Sequence, residues 1–215
     1  MDIFEVIQKR RSVRKFLEVP LDWEHVGQII EAGRMAPTAG NVQDVRFCVV
    51  LDPGTREKIA EACYQQYWMS KAPVHIVVGV ETQKTEAFYG HRGKEVYAAQ
   101  NAAAATMSMV LAAEALGLST CWVAAFEDHQ LKRAIGMPDN VQAHCVIPLG
   151  FADETPREPI KFSIETVVYL NSWGNRFLHM RDLSGEFSDM TDAALKKGKE
   201  IMEKAKKHPS TFVQA

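Results

Sequence analysis

No two of the four cysteines, Cys48, Cys63, Cys121 and Cys145, form a CxxC pair, and they lie far apart in the chain. Each sits in an apolar run such as RFCVV or STCWV, the setting of a buried free thiol. The histidines show no HExxH or similar spacing, so no metal site is expected. No GxGxxG turn follows any strand-like run, and no GxxxxGK followed by Ser or Thr occurs, which disfavours a dinucleotide Rossmann or P-loop site. A charge excess is missing too: 25 basic against 27 acidic residues leave a net charge of -2. A nucleic-acid partner is therefore not expected of the whole molecule. No uninterrupted apolar run reaches the ~18 residues of a membrane helix, and MDIFEVIQKRR has no signal-peptide stretch. The expectation is a cytoplasmic protein with no membrane partner.

What is present suits one ample domain, or a domain with an appendage: 215 residues, 47% apolar and 24% charged. Asp2 can cap a first helix through Ile3, Phe4 and Ile7 that runs out near Arg10 or Arg11, leaving SVRKF as an extended exit. Asp22 caps a second helix, stopped at Ala36-Pro37. VRFCVVL (45–51) and VHIVVGV (74–80) read as buried strands, with a helix opened by Thr55 between them. Residues 94–116 form the longest helical pattern, apolar on nearly every side, which calls for central burial or a subunit interface. TCWVAAF (120–126), AHCVIPLG (143–150) and TVVYL (166–170) read as further strands, with Asp128 capping a short helix. Residues 191–207 read as a lysine-rich solvated helix. Interleaved helices and strands without a nucleotide turn favour an α+β fold, a mixed sheet flanked by helices.

Three segments carry chemistry. In RRSVRKF, Arg10, Ser12 and Arg14 alternate, so on an extended exit they point the same way. Two guanidinium forks and a hydroxyl suit a single phosphate, although a charged helix end has the same composition. In APTAGNVQ (36–43), small residues keep a loop thin while Asn41 and Gln43 offer amides, the donor–acceptor pairs that match the edge of a heterocycle. The same residues also make ordinary turns. In GLSTCWVAAF (117–126), Ala124 and Ala125 leave backbone N–H groups approachable at the end of a strand.

In this order, RRSVRKF, APTAGNVQ, Ala72-Pro73 before a strand, GLSTCW after a long apolar helix and VIPLGF near the end of the core resemble the nitroreductase family of FMN-dependent oxidoreductases, over roughly residues 1–170. The resemblance implies a nitroreductase-like α+β fold with a long interface helix, an FMN-binding domain at 1–172 and a C-terminal helical extension at 173–215. It implies that Arg10, Ser12 and Arg14 hold the FMN phosphate and ribityl chain, with Arg11 close by. Pro37, Thr38, Ala39 and Asn41, with Gln43, would contact the flavin from the partner subunit of a homodimer. Val123, Ala124 and Ala125 match the segment beside flavin N5. Gln66 or Gln65 would touch the pyrimidine edge, and Lys161 or Arg157 would complete the phosphate site.

The implied activity is ping-pong hydride transfer from NAD(P)H through flavin N5 to a nitroaromatic, quinone or similar small-molecule electron acceptor. No side chain has to act as nucleophile or acid, so no catalytic residue is assigned. Flavin destruction, reductive dehalogenation and FMN binding without turnover are the alternatives within the same fold. The sequence departs from the family in reading Gln43-Asp44-Val45 where Gln-Pro-Trp is common, and in placing Ala124 and Ala125 where an acid or glycine often stands.

Overall fold

The computed structural model describes residues 2–176. The chain divides into two units, one ending at Glu158 and the other beginning at Pro159. The first carries helices and a four-stranded sheet, the α+β arrangement expected. Its strands are β1 (Val45–Val50), β2 (Val74–Glu81), β3 (Ser119–Thr120) and β4 (Val141–Gly150), in the order β1-β2-β4-β3. All three strand pairs are antiparallel, and among the described residues the only parallel element is an isolated bridge from Ser12 to Thr120. The sheet is thus less mixed than expected.

Local chemistry sets most element ends. α1 (Ile3–Lys9) ends at Arg10 as expected, although Asp2 makes no side-chain capping bond. α2 (Trp23–Arg34) is capped by Asp22, whose carboxylate accepts the Glu24 N–H at 2.9 Å. α3 (Pro53–Ala62) opens two residues before Thr55, because Asp52 accepts the Thr55 N–H at 2.7 Å and Pro53 fits a first helical turn. α4 (Thr82–Arg92) has no counterpart in the sequence reading. The expected single helix 94–116 is divided into a π-turn at Gly93–Tyr97 and α5 (Ala98–Ala115). α6 (Asp128–Ile135) is capped by Glu127, not Asp128, through the N–H groups of His129 and Gln130.

The TCWVAAF strand is shorter than its β-branched and aromatic residues suggested. After β3, only Val123 returns to the sheet, exchanging 2.9 and 2.8 Å bonds with Val146. Ala124 and Ala125 leave the ladder, and the Glu127 N–H donates to the Ala62 carbonyl at the end of α3 instead. In the second unit the expected strand at 166–170 is also overturned. A short helix, α7 (Ile164–Val167), occupies its start, and among the described residues pairing is limited to one bridge between Tyr169 and Arg176. The helix expected at 191–207 lies outside the described residues.

Two apolar layers sandwich the sheet. On one face Ile76, Val78, Val80 and Ile147 pack against α2 and α5; on the other, Val77 and Val146 pack with Ile59, Leu131, Cys121 and Val123. The alternation along β2 follows from the two-residue period of a strand. α5 turns Ala102, Ala105, Met109 and Ala113 inward. Its opposite side, with Ala99, Ala103, Met107 and Leu111, reaches the surface wholly or in part. α1 adds Ile3, Phe4 and Ile7, with Phe4 69% exposed.

The π-turn that starts α5 depends on Gly93, which lies against the Thr85 carbonyl so closely that an added Cβ would collide with backbone. We expect Gly93→Ala to destabilise the protein by about 1–3 kcal/mol through overpacking. Thermal denaturation reads this directly; an unchanged Tm would show that α4 can move aside.

Candidate functional site

The extended exit from α1 is fixed at one end of the sheet. Val13 donates its N–H to the Thr120 carbonyl at 3.0 Å, Leu17 to the Phe151 carbonyl at 3.0 Å, and Phe16 bridges Ala152. Val13 and Phe16 are buried with Ala72, and the Phe16 ring stacks on Trp68. The turn carrying Trp68 is held in turn by His75, whose Nε2–H donates to the Met69 carbonyl at 2.8 Å. Burial pushes the His75 pKa down to about 4, outweighing the Met69 bond, which favours the protonated ring.

With Val13 anchored inward, Ser12 and Arg14 face outward, as the alternation required. Glu154 receives the backbone N–H groups of Arg14 and Lys15, which pins the segment without using either cationic head. Burial raises the Cys121 thiol pKa, while Arg14, the Ser12 hydroxyl and Arg10 all pull it back. Arg10, Ser12 and Arg14 therefore all lie in the neighbourhood of Cys121, where Glu154 opposes them. Arg11 does not join them freely: its guanidinium turns back to the Gln8 and Arg10 carbonyls and lies 3.7 Å from Glu158. Among the described residues neither Arg10 nor Arg14 has an acidic ion-pair partner within 4 Å, whereas Arg11 has one.

Alongside lies the segment after β3. Val123 is buried, and Ala124 and Ala125 are exposed. Among the described residues their N–H groups donate to no backbone acceptor. The turn after α3 approaches the same stretch through the Glu127–Ala62 bond. Gln66 is half-buried there and donates from Nε2 to the Cys63 carbonyl at 2.9 Å, while Gln65 is exposed in a left-handed conformation. Arg157 is exposed in the first unit, and Lys161 is exposed in the second unit ahead of α7.

The loop APTAGNVQ lies elsewhere. Pro37 is exposed, Thr38 precedes a single 3-10 turn at Ala39–Asn41, and its hydroxyl accepts the Gln43 N–H at 3.1 Å. Asn41 and Gln43 are exposed with positive φ of 56° and 50°. The loop is tied to α5 by a bond of 2.9 Å from the Ala39 N–H to Asn101 Oδ1, and to the end of β2 by the Glu81 N–H donating to the Asp44 carbonyl. Two rulers separate it from the basic segment. β2 runs from Val74, joined through Leu149 to Thr120 and Ser12, to Glu81, joined to Asp44, about 23 Å away at the usual strand rise. α5 runs from Asn101 to Ala115, about 21 Å, before the chain reaches β3. The loop also hangs on the α5 face of the sheet, whereas Cys121 and Val123 pack on the other face. One chain thus places the Arg10–Arg14 segment beside β3, which leads into Val123, Ala124 and Ala125, has Gln66 in the turn after α3 that bonds to the end of that stretch, and holds Pro37 to Gln43 at the other end of β2.

Sequence reasoning missed Asn101 and Asp44, which hold the loop from inside. A lone asparagine in AAQNAAAAT was the available signal, since an amide has no reason to interrupt an alanine helix unless it finds partners.

No helix of the described residues is long and apolar enough to cross a membrane, and no group of metal-ligating side chains occurs among them. Comparison with known proteins gives a match to the nitroreductase family over residues 7–68 and 63–151. A protein of Methanothermobacter thermautotrophicus, assigned as an NADH dehydrogenase/NAD(P)H nitroreductase, is 29% identical over 179 residues, covering 80% of this chain and 88% of its own. The crystal structure of a nitroreductase family protein from Clostridium novyi NT is 28% identical with a TM-score of 0.67, over 83% of this chain and 98% of that one. The NADPH:FMN oxidoreductase of Vibrio harveyi complexed with NAD+, at 23% identity, shares the fold with a TM-score of 0.74 over 95% and 91% of the two chains.

Proposed function

The chain belongs to the nitroreductase family of oxidoreductases, and on that premise we propose that it is an FMN-dependent NAD(P)H oxidoreductase whose flavin lies between two copies of the chain. The observation that supports a flavin phosphate site is the segment fixed beside β3, on which Ser12 and Arg14 flank the buried Val13 and neither Arg10 nor Arg14 is paired with an acidic side chain among the described residues. FMN, when bound, supplies hydride chemistry at N5, accepting from NAD(P)H and giving to a nitroaromatic, quinone or similar acceptor in a ping-pong cycle. The chain's own residues bind and orient. Two guanidinium forks and a hydroxyl take the phosphate, whose two charges and three oxygens such donors match. The Ala124 and Ala125 N–H groups offer donors to the ring, and the side-chain oxygen of Gln66 remains available to its polar edge. Arg157 and Lys161 stay as the two candidates for a further cation on the phosphate.

The loop is the reason for two copies. In one chain Asn41 and Gln43 sit at the far end of β2 from Arg14, so this reading has them serve the flavin held by the clamp of a second copy. Uncovered Ile3, Phe4, Ile7 and Met107 give such a copy an apolar surface to cover. A homodimer in the cytoplasm is part of the same reading.

Purified protein is expected to be yellow, to release FMN on denaturation, and to oxidise NAD(P)H only while an acceptor is supplied. Colourless protein that takes up no added FMN contradicts the reading, and flavin-loaded protein that oxidises neither nucleotide leaves a binding protein without turnover.

A further inference from the structure

Asp44 has no exposed surface, although the loop it ends is largely at the surface. Its two carboxylate oxygens accept from Asn101 Nδ2 at 2.9 and 3.1 Å, and Oδ2 also accepts the Thr85 hydroxyl. Asn101, 4% exposed, spends its own oxygen on the Ala39 N–H. One buried amide therefore joins the residue that opens the loop's 3-10 turn to the residue that closes the loop. Between these two points lie Gly40, Asn41 and Gln43, all with positive φ. An unsupported L-residue avoids that region; here both ends of the segment are tied to α5, and Gln43 is held further by Thr38 and by Arg46 on its carbonyl.

For stability alone this network is a poor choice. Among the described residues no cation faces Asp44 in it, and a buried carboxylate is costly unless every donor is in place. An apolar pair of similar volume would hold α5 to the loop at lower cost, but would leave the Ala39 N–H unpaired and the loop without its hydrogen-bonded tie to α5. We infer that Asn101 and Asp44 are positioning residues, a buried clamp that fixes the backbone at 39–43 so that the Asn41 and Gln43 amides are set for the flavin of a second copy. The inference rests on the functional reading above.

The bonding scheme has a complement. In Asn101→Asp, two carboxylates face each other and the only nitrogen between them is lost. In the swapped pair Asn101→Asp with Asp44→Asn, the amide of residue 44 donates to the carboxylate of residue 101, its oxygen accepts from Thr85, and the other carboxylate oxygen accepts from Ala39. Three of the four bonds are restored with the groups exchanged, and only the longer 3.1 Å contact, which becomes one between two oxygens, is lost.

The test measures FMN affinity by fluorescence titration of flavin-stripped protein, with near-UV circular dichroism and size-exclusion to confirm fold and dimer, for wild type, Asn101→Asp and the swap. FMN affinity is expected to fall by about tenfold or more in Asn101→Asp and to return to within about threefold of wild type in the swap. In the flavin-free proteins, amide exchange at 39–43 should quicken by about tenfold in the single variant and slow again in the swap. A folded Asn101→Asp dimer with FMN affinity within about twofold of wild type overturns the inference, as does a folded swap that restores nothing. If Asn101→Asp does not fold, Thr85→Val removes one donor while keeping volume and the Ala39 link. An affinity loss of about threefold or more then supports the clamp, and a smaller one overturns it. Wild-type protein that takes up no FMN fells the functional reading and, with it, the flavin role of the clamp. Faster exchange at 39–43 with unaltered FMN affinity fells only the positioning role.

Discussion

Arg14→Glu is expected to yield a folded protein that no longer retains FMN. The fold should survive because the structure asks nothing of this guanidinium: the side chain is exposed, and the segment is held by backbone bonds to Glu154 and by Val13 and Phe16 in the core. The flavin should not survive, for two reasons that add. A charge-assisted hydrogen bond to the phosphate, worth about 1.5–3 kcal/mol, is lost. In its place a carboxylate faces a group carrying about two negative charges, next to Glu154, which already brings one acid to this end of the sheet. Together these predict a Kd for FMN raised by about 100-fold or more, largest at low ionic strength. Fluorescence titration at low salt against wild type measures it. Equal affinities would mean that the cluster is only a charged helix end.

How much of this could be read from the sequence varied with the kind of signal. The alternation of Arg10, Ser12 and Arg14 about a buried Val13 was legible, because an extended segment has a fixed period of two and the apolar residue shows which side is inward. The cap by Asp22 was legible, whereas α3, expected to open at Thr55, starts at Pro53 under a cap by Asp52. Strand length was not. TCWVAAF and TVVYL have β-forming residues throughout, yet pairing needs a neighbouring edge, and only tertiary structure decides where an edge is available. α4 escaped notice because TQKTEAFYGHR has no clear apolar stripe. The clamp on the loop was hidden for a different reason. Asp44 and Asn101 are 57 positions apart, and nothing in either neighbourhood points to the other. The sequence motif APTAGNVQ marked the loop, but what fixes its shape lies in the first turns of α5.

The same separation makes the assembly testable. The account holds that the phosphate clamp and the amide loop of one flavin site belong to different chains, since in one chain they stand at opposite ends of β2. Asn41→Asp provides the lesion on the loop side: it removes the amide donor and adds charge, and aspartate tolerates the left-handed conformation that residue 41 adopts. Arg14→Glu provides the lesion on the clamp side. Each variant alone should be flavin-poor. When the two are unfolded and refolded together, a mixed dimer has one site carrying both lesions and one site carrying neither. FMN bound per mixed dimer, isolated by differential tags and confirmed by mass, is therefore expected to recover to one of its two sites. If each chain built its own complete site, every site in the mixed dimer would keep one lesion, and confirmed mixed dimers as flavin-poor as the parents would contradict the account.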